Sequence, residues 1–404
     1  MKFLVVSTFA WPDHFGGAER VIGEVTSRLA QRGHAVTLLT ARLEGLPPAE
    51  SRDGVEVRRY SVDRGSPPAF YRSVFSGVRR ALDERAAAGA DLLHVHQPLS
   101  GVAALAPGAR RPRPLLFSFY APFDQEYLAR HRDGYGSGRA SAPALAVSAL
   151  MRHADRYLLR RSGRILVLSE FSRGQVAGLV PSAAARTVLA PPGVDLERFR
   201  PARDAAERAR AEELLELPEG GAPLVLSVRR LEPRMGLADL VEACRLLRAS
   251  GVALRLVIAG DGPLRAELRA QVERAGLVGC ARLAGKVSEA ELPDLYRAAS
   301  VFVLPTRSLE GFGLATAEAL ASGLPVVATS AGATPELLAG LRGAAVCPPG
   351  DPAALARALA PLLADAAARE SAGRAARAHA EAALGWERHL DAVEESARAV
   401  VAAR

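Results

Sequence analysis

Short, wholly apolar runs alternate along this chain with longer stretches in which apolar positions recur every three or four residues. The runs read as strands buried on both faces, and the longer stretches as amphipathic helices. Lys2 to Ser7 is the first strand, and it leads into the loop Trp11-Pro12-Asp13-His14-Phe15-Gly16-Gly17-Ala18-Glu19-Arg20. Val21, Val25 and Leu29 then fall at four-residue spacing on one helix, which Gly33 ends. Ala35 to Thr40, Val55 to Tyr60, Leu92 to His96, Leu115 to Phe119 and Arg164 to Ser169 are further strands, with helices between several of them. A second series runs through Leu224 to Val228, Leu254 to Ala259, Ala281 to Ala284 and Val301 to Leu304. Such alternation predicts an α/β fold of doubly wound parallel sheets. A charged, alanine-rich segment, 200–221, ends in Pro218 to Gly221 and is expected to link two halves. An alanine-rich helix over 352–384 and an amphipathic helix from Trp386 to Arg404 are expected to close the chain.

The most informative stretch is Val301-Phe302-Val303-Leu304-Pro305-Thr306-Arg307-Ser308-Leu309-Glu310-Gly311-Phe312-Gly313-Leu314, continued by a helix to Ala321 and then Gly323-Leu324-Pro325-Val326-Val327. It reads as strand, loop, helix, strand. Gly311 and Gly313 let backbone come close to a ligand. They precede a helix start, where unpaired N–H groups and the helix dipole favour an anion such as phosphate. Glu310 and Glu318 are eight residues apart, roughly 12 Å along a helix axis. That exceeds the separation of about 10 Å within which two carboxylates act on one glycosidic bond. They are better placed to grip two hydroxylated ends of one long ligand with phosphates between them, which is the shape of a nucleotide-sugar.

These residues resemble the donor-site signature of glycosyltransferase family 4: Glu310 and Glu318 with seven residues between them, Gly311-Phe312-Gly313 after the first, and Gly323-Leu324-Pro325-Val326-Val327 beyond. The resemblance implies a GT-B fold, two Rossmann-like domains facing a cleft, with a retaining transfer from a nucleoside-diphosphate sugar. It places the acceptor-binding domain at 1–199 and the donor-binding domain at 200–385, with the terminal helix, 386–404, crossing back to the first. It assigns Glu310 to the donor sugar hydroxyls, Gly311, Phe312, Gly313 and Leu314 to sugar and phosphate, and Glu318 to the ribose. Relatives show Gly-Arg-Leu followed by a Lys just before a Gly, and here Arg229-Arg230-Leu231-Glu232-Pro233-Arg234-Met235-Gly236 stands in register. Arg230 matches the family arginine on the diphosphate, while Met235 occupies the lysine position, so Arg234 is the candidate for the missing charge. By the same resemblance the base sits near Gly285 to Val287, and Gly16 and Gly17 close over the donor phosphates. Ala331-Gly332-Ala333-Thr334-Pro335-Glu336 matches a family Gly-Gly turn with one glycine lost. Many relatives carry a histidine where Tyr120 stands. A tyrosine there can place the reacting groups by a hydrogen bond but does not titrate near neutral pH.

Composition narrows the picture further. The length, 404 residues, exceeds one usual core and predicts two domains. No run approaches the roughly 18 apolar residues of a membrane span, and no secretory leader is evident. Cys244, Cys280 and Cys347 are scattered and lack metal-ligand spacing, so a reducing, cytoplasmic setting without a zinc site is expected. His94 and His96, in one strand, are expected on opposite faces rather than as a metal pair. No Asp-x-Asp stands in a strand-end loop, so the chemistry is expected to need no metal and no cofactor beyond the UDP- or GDP-sugar donor.

The net charge of +8 is uneven: residues 1–198 hold 27 Lys+Arg against 18 Asp+Glu, and residues 199–404 hold 25 against 26. The first half, at +9, is therefore expected to meet an anion, either a phosphorylated acceptor or the anionic inner face of a membrane. A basic amphipathic helix over 144–164 fits such a peripheral contact, with packing on the sheet as its plain alternative. No motif supports nucleic acid. The acceptor is expected to be a glycan, a lipid-linked hydroxyl or a small molecule. A GT-B epimerase and a degenerate, binding-only relative are the competing readings; Met235 and Tyr120 favour the latter, and the retained Glu310 and Glu318 oppose it.

Overall fold

The computed structural model describes residues 1–14, 16–83, 89–106, 113–131, 140–214 and 220–403. Phe15, within the first loop, lies outside the described residues, as do 215–219 of the segment expected to link the halves. The chain forms two compact units, one of residues 1–127, 142–191 and 387–404 and the other of 128–141 and 192–386. No helix among the described residues is long and apolar enough to cross a membrane.

The first unit is built on eight strands: β1 (Lys2–Val6), β2 (Ala35–Ala41), β3 (Ala49–Arg52), β4 (Val55–Tyr60), β5 (Leu92–Val95), β6 (Leu115–Phe119), β7 (Arg164–Val167) and β8 (Thr187–Leu189). Their order across the sheet is β3-β4-β2-β1-β5-β6-β7-β8, and every pair is parallel except β3 with β4. β1 is apolar from Phe3 to Val6 because helices cover both faces of a central parallel strand. The sheet order reverses between β1 and β5, which marks the crevice outside their carboxyl ends as the place for a ligand. The helix Trp386–Ala402 belongs to this unit. It buries Leu390, Val393 and Ala397, and Arg32 reaches its carboxylates Glu387, Asp391 and Glu394.

The second unit has six parallel strands, β9 (Leu224–Val228), β10 (Arg255–Ala259), β11 (Ala281–Gly285), β12 (Val301–Leu304), β13 (Val326–Thr329) and β14 (Ala345–Cys347), in the order β11-β10-β9-β12-β13-β14. Here the order reverses between β9 and β12. The expected linker instead carries a helix, Ala205–Leu214, whose Ala211 is buried and which packs on the helix Leu292–Ala298. Alanine and glutamate are strong helix formers, and that propensity prevails over the charged composition. The single helix expected over 352–384 is two, Pro352–Ala364 and Ala366–Ala383, because Asp365 leaves helical geometry and caps the second through the amides of Ala367 and Ala368.

One tie in the first unit fixes the chain just beyond Tyr120. Asp155, on the helix Ala142–Arg161, accepts a hydrogen bond from the Phe123 amide at 2.8 Å, at the start of the helix Phe123–Arg130. Neighbouring Asp124 is also buried and accepts from Arg152 Nε at 2.7 Å. Burial above all, reinforced by Asp124 and Glu126, raises the Asp155 carboxyl to about 8 against the opposing Phe123 hydrogen bond. A folded-state value above the unfolded one of about 4 means that Asp155 favours the fold below that pH. The contribution is lost as pH rises through about 8, with a slope of up to about 1.4 kcal/mol per pH unit. In denaturant titrations from pH 5 to pH 8, Asp155→Asn is expected to remove that slope. An equal slope in both proteins would contradict the assignment.

Candidate functional site

In the second unit the crevice between β9 and β12 is flanked by two loops, Arg229 to Gly236 and Pro305 to Gly313. Glycine brings them together: a Cβ on Gly236 would lie 1.8 Å from the Pro305 carbonyl oxygen. The Arg307 amide donates to the Arg234 carbonyl at 2.8 Å, and Arg234 Nη1 donates to the Leu309 carbonyl at 3.1 Å. Leu309 has φ +60°, a left-handed conformation that costs a β-carbon residue about 1–2 kcal/mol. This strain sits directly before Glu310 and is held by the Arg234 contact, as strained residues at ligand sites commonly are.

Glu310 is the meeting point of three loops. Its carbonyl accepts from the Ala333 amide at 2.8 Å, and Gly332, at φ +59°, passes so close that a Cβ would lie 2.0 Å from that carbonyl. Gly332 is thus the glycine that the turn after β13 requires, and alanine serves at 331. The Glu310 carboxylate Oε2 accepts from Arg229 Nη2 at 2.6 Å, and the same Nη2 is 2.7 Å from Thr306 Oγ1 and 3.0 Å from Met235 Sδ. The side chains of Arg229 and Glu310 are 9% and 11% exposed, so the pair is almost wholly out of water.

Beyond Glu310, Gly313 (φ +96°) precedes the helix Leu314–Ala321. The first-turn amides of that helix have no acceptor within it, and the turn Gly311 to Gly313 leads directly into them. Phe312 is buried and anchors the turn. Glu318 is also buried, and its Oε2 accepts from the Tyr296 hydroxyl at 2.8 Å. Tyr296 in turn packs edge-on to Phe199, so Glu318 is held from the core side. Val287 lies in the loop after β11, between Gly285 and a capping box in which Ser288 and Glu291 bond each other's amides at 3.1 and 3.2 Å.

The arginines of the first loop have different surroundings. Arg230, the expected diphosphate ligand, has a side chain 44% exposed and lies 3.3 Å from Glu232. Arg234 is buried in the turn Pro233–Met235, where it holds Leu309. Arg229, which the sequence reading passed over, is the cation on Glu310. The signal was present: an arginine stands at a strand exit where the related pattern has glycine.

In the first unit, Gly16 is the extended residue before the helix Gly17–Gln31, and Tyr120 directly follows β6. Gln97 ties the crevice loops together, accepting from the Thr8 and Phe9 amides at 3.0 Å each and donating to Glu19 at 3.1 Å. A Cβ on Gly16 would lie 2.1 Å from a Glu19 carboxylate oxygen, so this glycine lets Glu19 cover the turn. The Tyr120 hydroxyl shares a 2.7 Å hydrogen bond with His96 Nδ1. Burial, with the Glu19 charge, drives Tyr120 well above the usual phenol range, so it stays protonated. Burial also holds His96 and His94 neutral, His94 at about 3. The expectation that His94 and His96 turn to opposite faces is corrected: residues two apart in a strand share a face, and their rings are 4.0 Å apart. Gln97 and His96 had no motif to announce them.

Family models match both units: "Glycosyltransferase Family 4" over residues 15–198 and "Glycosyl transferases group 1" over 212–379. The D-inositol 3-phosphate glycosyltransferase of Kineococcus radiotolerans is 30% identical, across 96% of this chain and 91% of that protein. The GDP-mannose-dependent alpha-(1-6)-phosphatidylinositol monomannoside mannosyltransferase of Mycobacterium tuberculosis is 30% identical, across 83% and 82%. Among solved structures, the sucrose-phosphate synthase of Thermosynechococcus elongatus superposes with a TM-score of 0.83 at 23% identity, covering 100% of both chains. That likeness establishes a common fold, the two-sheet GT-B arrangement.

Removing Arg229 leaves the Glu310 carboxylate buried and unpaired, which typically costs about 3–5 kcal/mol. Arg229→Ala is therefore expected to lower unfolding free energy by that order, while Arg230→Ala stays within about 0.5 kcal/mol, as exposed substitutions do. Chemical denaturation of the two variants checks this, and equal effects would contradict the geometry.

Proposed function

Because this chain belongs to glycosyltransferase family 4, we propose that it moves a hexosyl group from a UDP- or GDP-sugar to a hydroxyl of a phosphate-bearing acceptor, with retention of anomeric configuration. The observation that carries the reading is the buried Arg229–Glu310 pair at the carboxyl edge of the second sheet, beside the glycine turn that opens the helix Leu314–Ala321. Glu310 accepts hydrogen bonds from the sugar hydroxyls. The turn from Gly311 to Leu314 presents amides to sugar and phosphate, Arg230 and Arg234 lie along the diphosphate, and Glu318 holds the ribose. Val287 and its neighbours contact the base.

The bond between the anomeric carbon and the diphosphate oxygen breaks, and the acceptor oxygen bonds to that carbon on the same face. The acceptor's proton passes to the departing phosphate oxygen, so no side chain has to serve as nucleophile. Negative charge grows on the leaving oxygen, and preorganised cations and helix-start amides stabilise such charge by about 3–4 kcal/mol each. Arginines in this role make a divalent ion unnecessary, so the reaction is proposed to be metal-independent. In the first unit the hydrogen bond between Tyr120 and His96 Nδ1 fixes a neutral hydroxyl at the end of β6, a group suited to orienting a substrate by a hydrogen bond.

Two observations support an anionic acceptor. The first half of the chain carries the whole positive excess, and the two relatives described above are named for inositol phosphate and phosphatidylinositol compounds. The helix Ala142–Arg161 exposes Leu145 (53%) and Leu150 (72%), along with Arg152, Arg160 and Arg161. That combination supports peripheral contact with an anionic membrane from the cytoplasmic side.

A panel of UDP- and GDP-sugars, each with and without EDTA, tests the proposal by nucleoside diphosphate release. One donor is expected to be consumed at equal rates with and without EDTA, and Glu310→Ala to reduce release by on the order of 100-fold. Tight donor binding without release or transfer to any acceptor would favour the binding-only alternative.

A further inference from the structure

A cavity of about 470 Å³ opens on the second unit between the helices Leu237–Ala249 and Arg265–Arg274, beside the start of the helix Pro352–Ala364. Asp239, Glu242 and Arg245 line it from the first helix, Gln271 and Arg274 from the second, and Arg307 from the loop after β12. None of these side chains has a part in the site described above. The volume suits a small molecule, and so polar a lining suits a polar one. Its charged groups are three arginines and two carboxylates, a net of +1. Arg307 grips Asp239 through Nε and Nη2 at 2.8 and 2.6 Å, and Arg245 grips Glu242 in the same way at 2.8 and 2.6 Å. Both carboxylates are thus neutralised within the cavity, and the excess charge is that of the exposed Arg274. A fork of this kind uses two of the five N–H donors of a guanidinium. Gln271 is oriented as well: its Nε2 donates to the Ala238 carbonyl at 2.9 Å, which leaves Oε1 to accept.

We propose that this cavity is a second ligand site, for a small phosphorylated polyol. Arginine forks match a phosphate group, which takes paired N–H donors, and Gln271 Oε1 accepts from a hydroxyl. The net positive charge disfavours a cation. The site adjoins the donor loop through one residue. Arg307 holds Asp239 with its side chain and donates from its amide to the Arg234 carbonyl at 2.8 Å, and it stands three residues before Glu310. A phosphate on Arg307 competes with Asp239 and repels it, which loosens the tie behind that loop. Ligand and donor therefore oppose each other, and by linkage each weakens the other's binding by the same factor. This opposition rests on the nucleotide-sugar reading above; the site itself does not.

Sorbitol 6-phosphate, sorbitol and inorganic phosphate, each titrated calorimetrically into the full chain without donor, test the site. Sorbitol 6-phosphate is expected to bind about tenfold more tightly than inorganic phosphate or sorbitol. Arg274→Ala and Arg245→Ala are each expected to weaken it by about tenfold, and Arg274→Lys to recover part of the loss. Thermal melts establish that each variant is folded, and donor turnover in Arg274→Ala without the probe is expected to match wild type. Failure of sorbitol 6-phosphate to bind, or binding that both alanine variants leave unchanged, overturns the site. Affinity for inorganic phosphate or sorbitol equal to that for sorbitol 6-phosphate overturns the ligand class. The titration is then repeated with the donor-derived nucleoside diphosphate at saturation. The probe is expected to bind at least about fivefold more weakly, and equal affinity overturns the opposition. A chain that binds the probe through Arg274 but binds no nucleotide overturns the transferase reading and the opposition with it, while the site stands, so the two failures are distinguishable.

Discussion

Two opposite charges, Arg229 and Glu310, meet at 2.6 Å in a place almost closed to water. Neither is affordable there alone, and each restricts the other. The constraint extends outward through every loop at that edge of the second sheet. Thr306 shares the guanidinium, Arg234 clamps the strained Leu309, and Gly236 and Gly332 allow backbones to approach where any side chain would collide. The result is a carboxylate held rigidly at the start of the glycine turn, one residue before the backbone expected to meet sugar and phosphate. Preorganisation of this kind is what an enzyme that stabilises a departing diphosphate needs, because the groups do not have to reorient as charge develops.

The corresponding edge of the first unit follows a different logic. Gln97, Glu19 and the backbone of Thr8 and Phe9 knit the first loop to the end of β5. The aromatic pair at its centre, His96 and Tyr120, is kept neutral by burial. Such a surface offers oriented hydrogen bonds rather than acid–base titration. It suits a reaction in which the leaving group itself takes the proton. The helix Trp386–Ala402 stiffens this unit from behind, through Arg32 and through His389, which lies 2.9 Å from the Ala190 carbonyl.

Much of this was legible in the sequence because it follows from local chemistry. The apolar runs mark most of the parallel strands. The spacing of Glu310, Gly311, Gly313 and Glu318 marks the turn and the helix that place them. What stayed hidden depends on which way a side chain leaves a strand. Arg229 and Arg230 are adjacent and chemically identical, and only the exit direction from β9 sends one into the crevice and the other towards solvent. His94 and His96 needed the strand period applied correctly to show that their rings meet. The helix at 205–214 was masked by a charged composition common to linkers and surface helices, and the partner helix that buries Ala211 is remote in sequence. Gln97 carries no motif, since its importance lies in bridging β1 and β5.

The most direct measurement is a crystal structure of this chain with its nucleotide-sugar donor bound. The diphosphate is expected outside the carboxyl ends of β9 and β12, over the amides from Gly311 to Leu314. Glu310 is expected on the sugar hydroxyls, with Arg230 and Arg234 along the diphosphate and Arg229 still paired with Glu310. A donor bound away from this edge, or a donor sugar out of reach of Glu310, would contradict this placement.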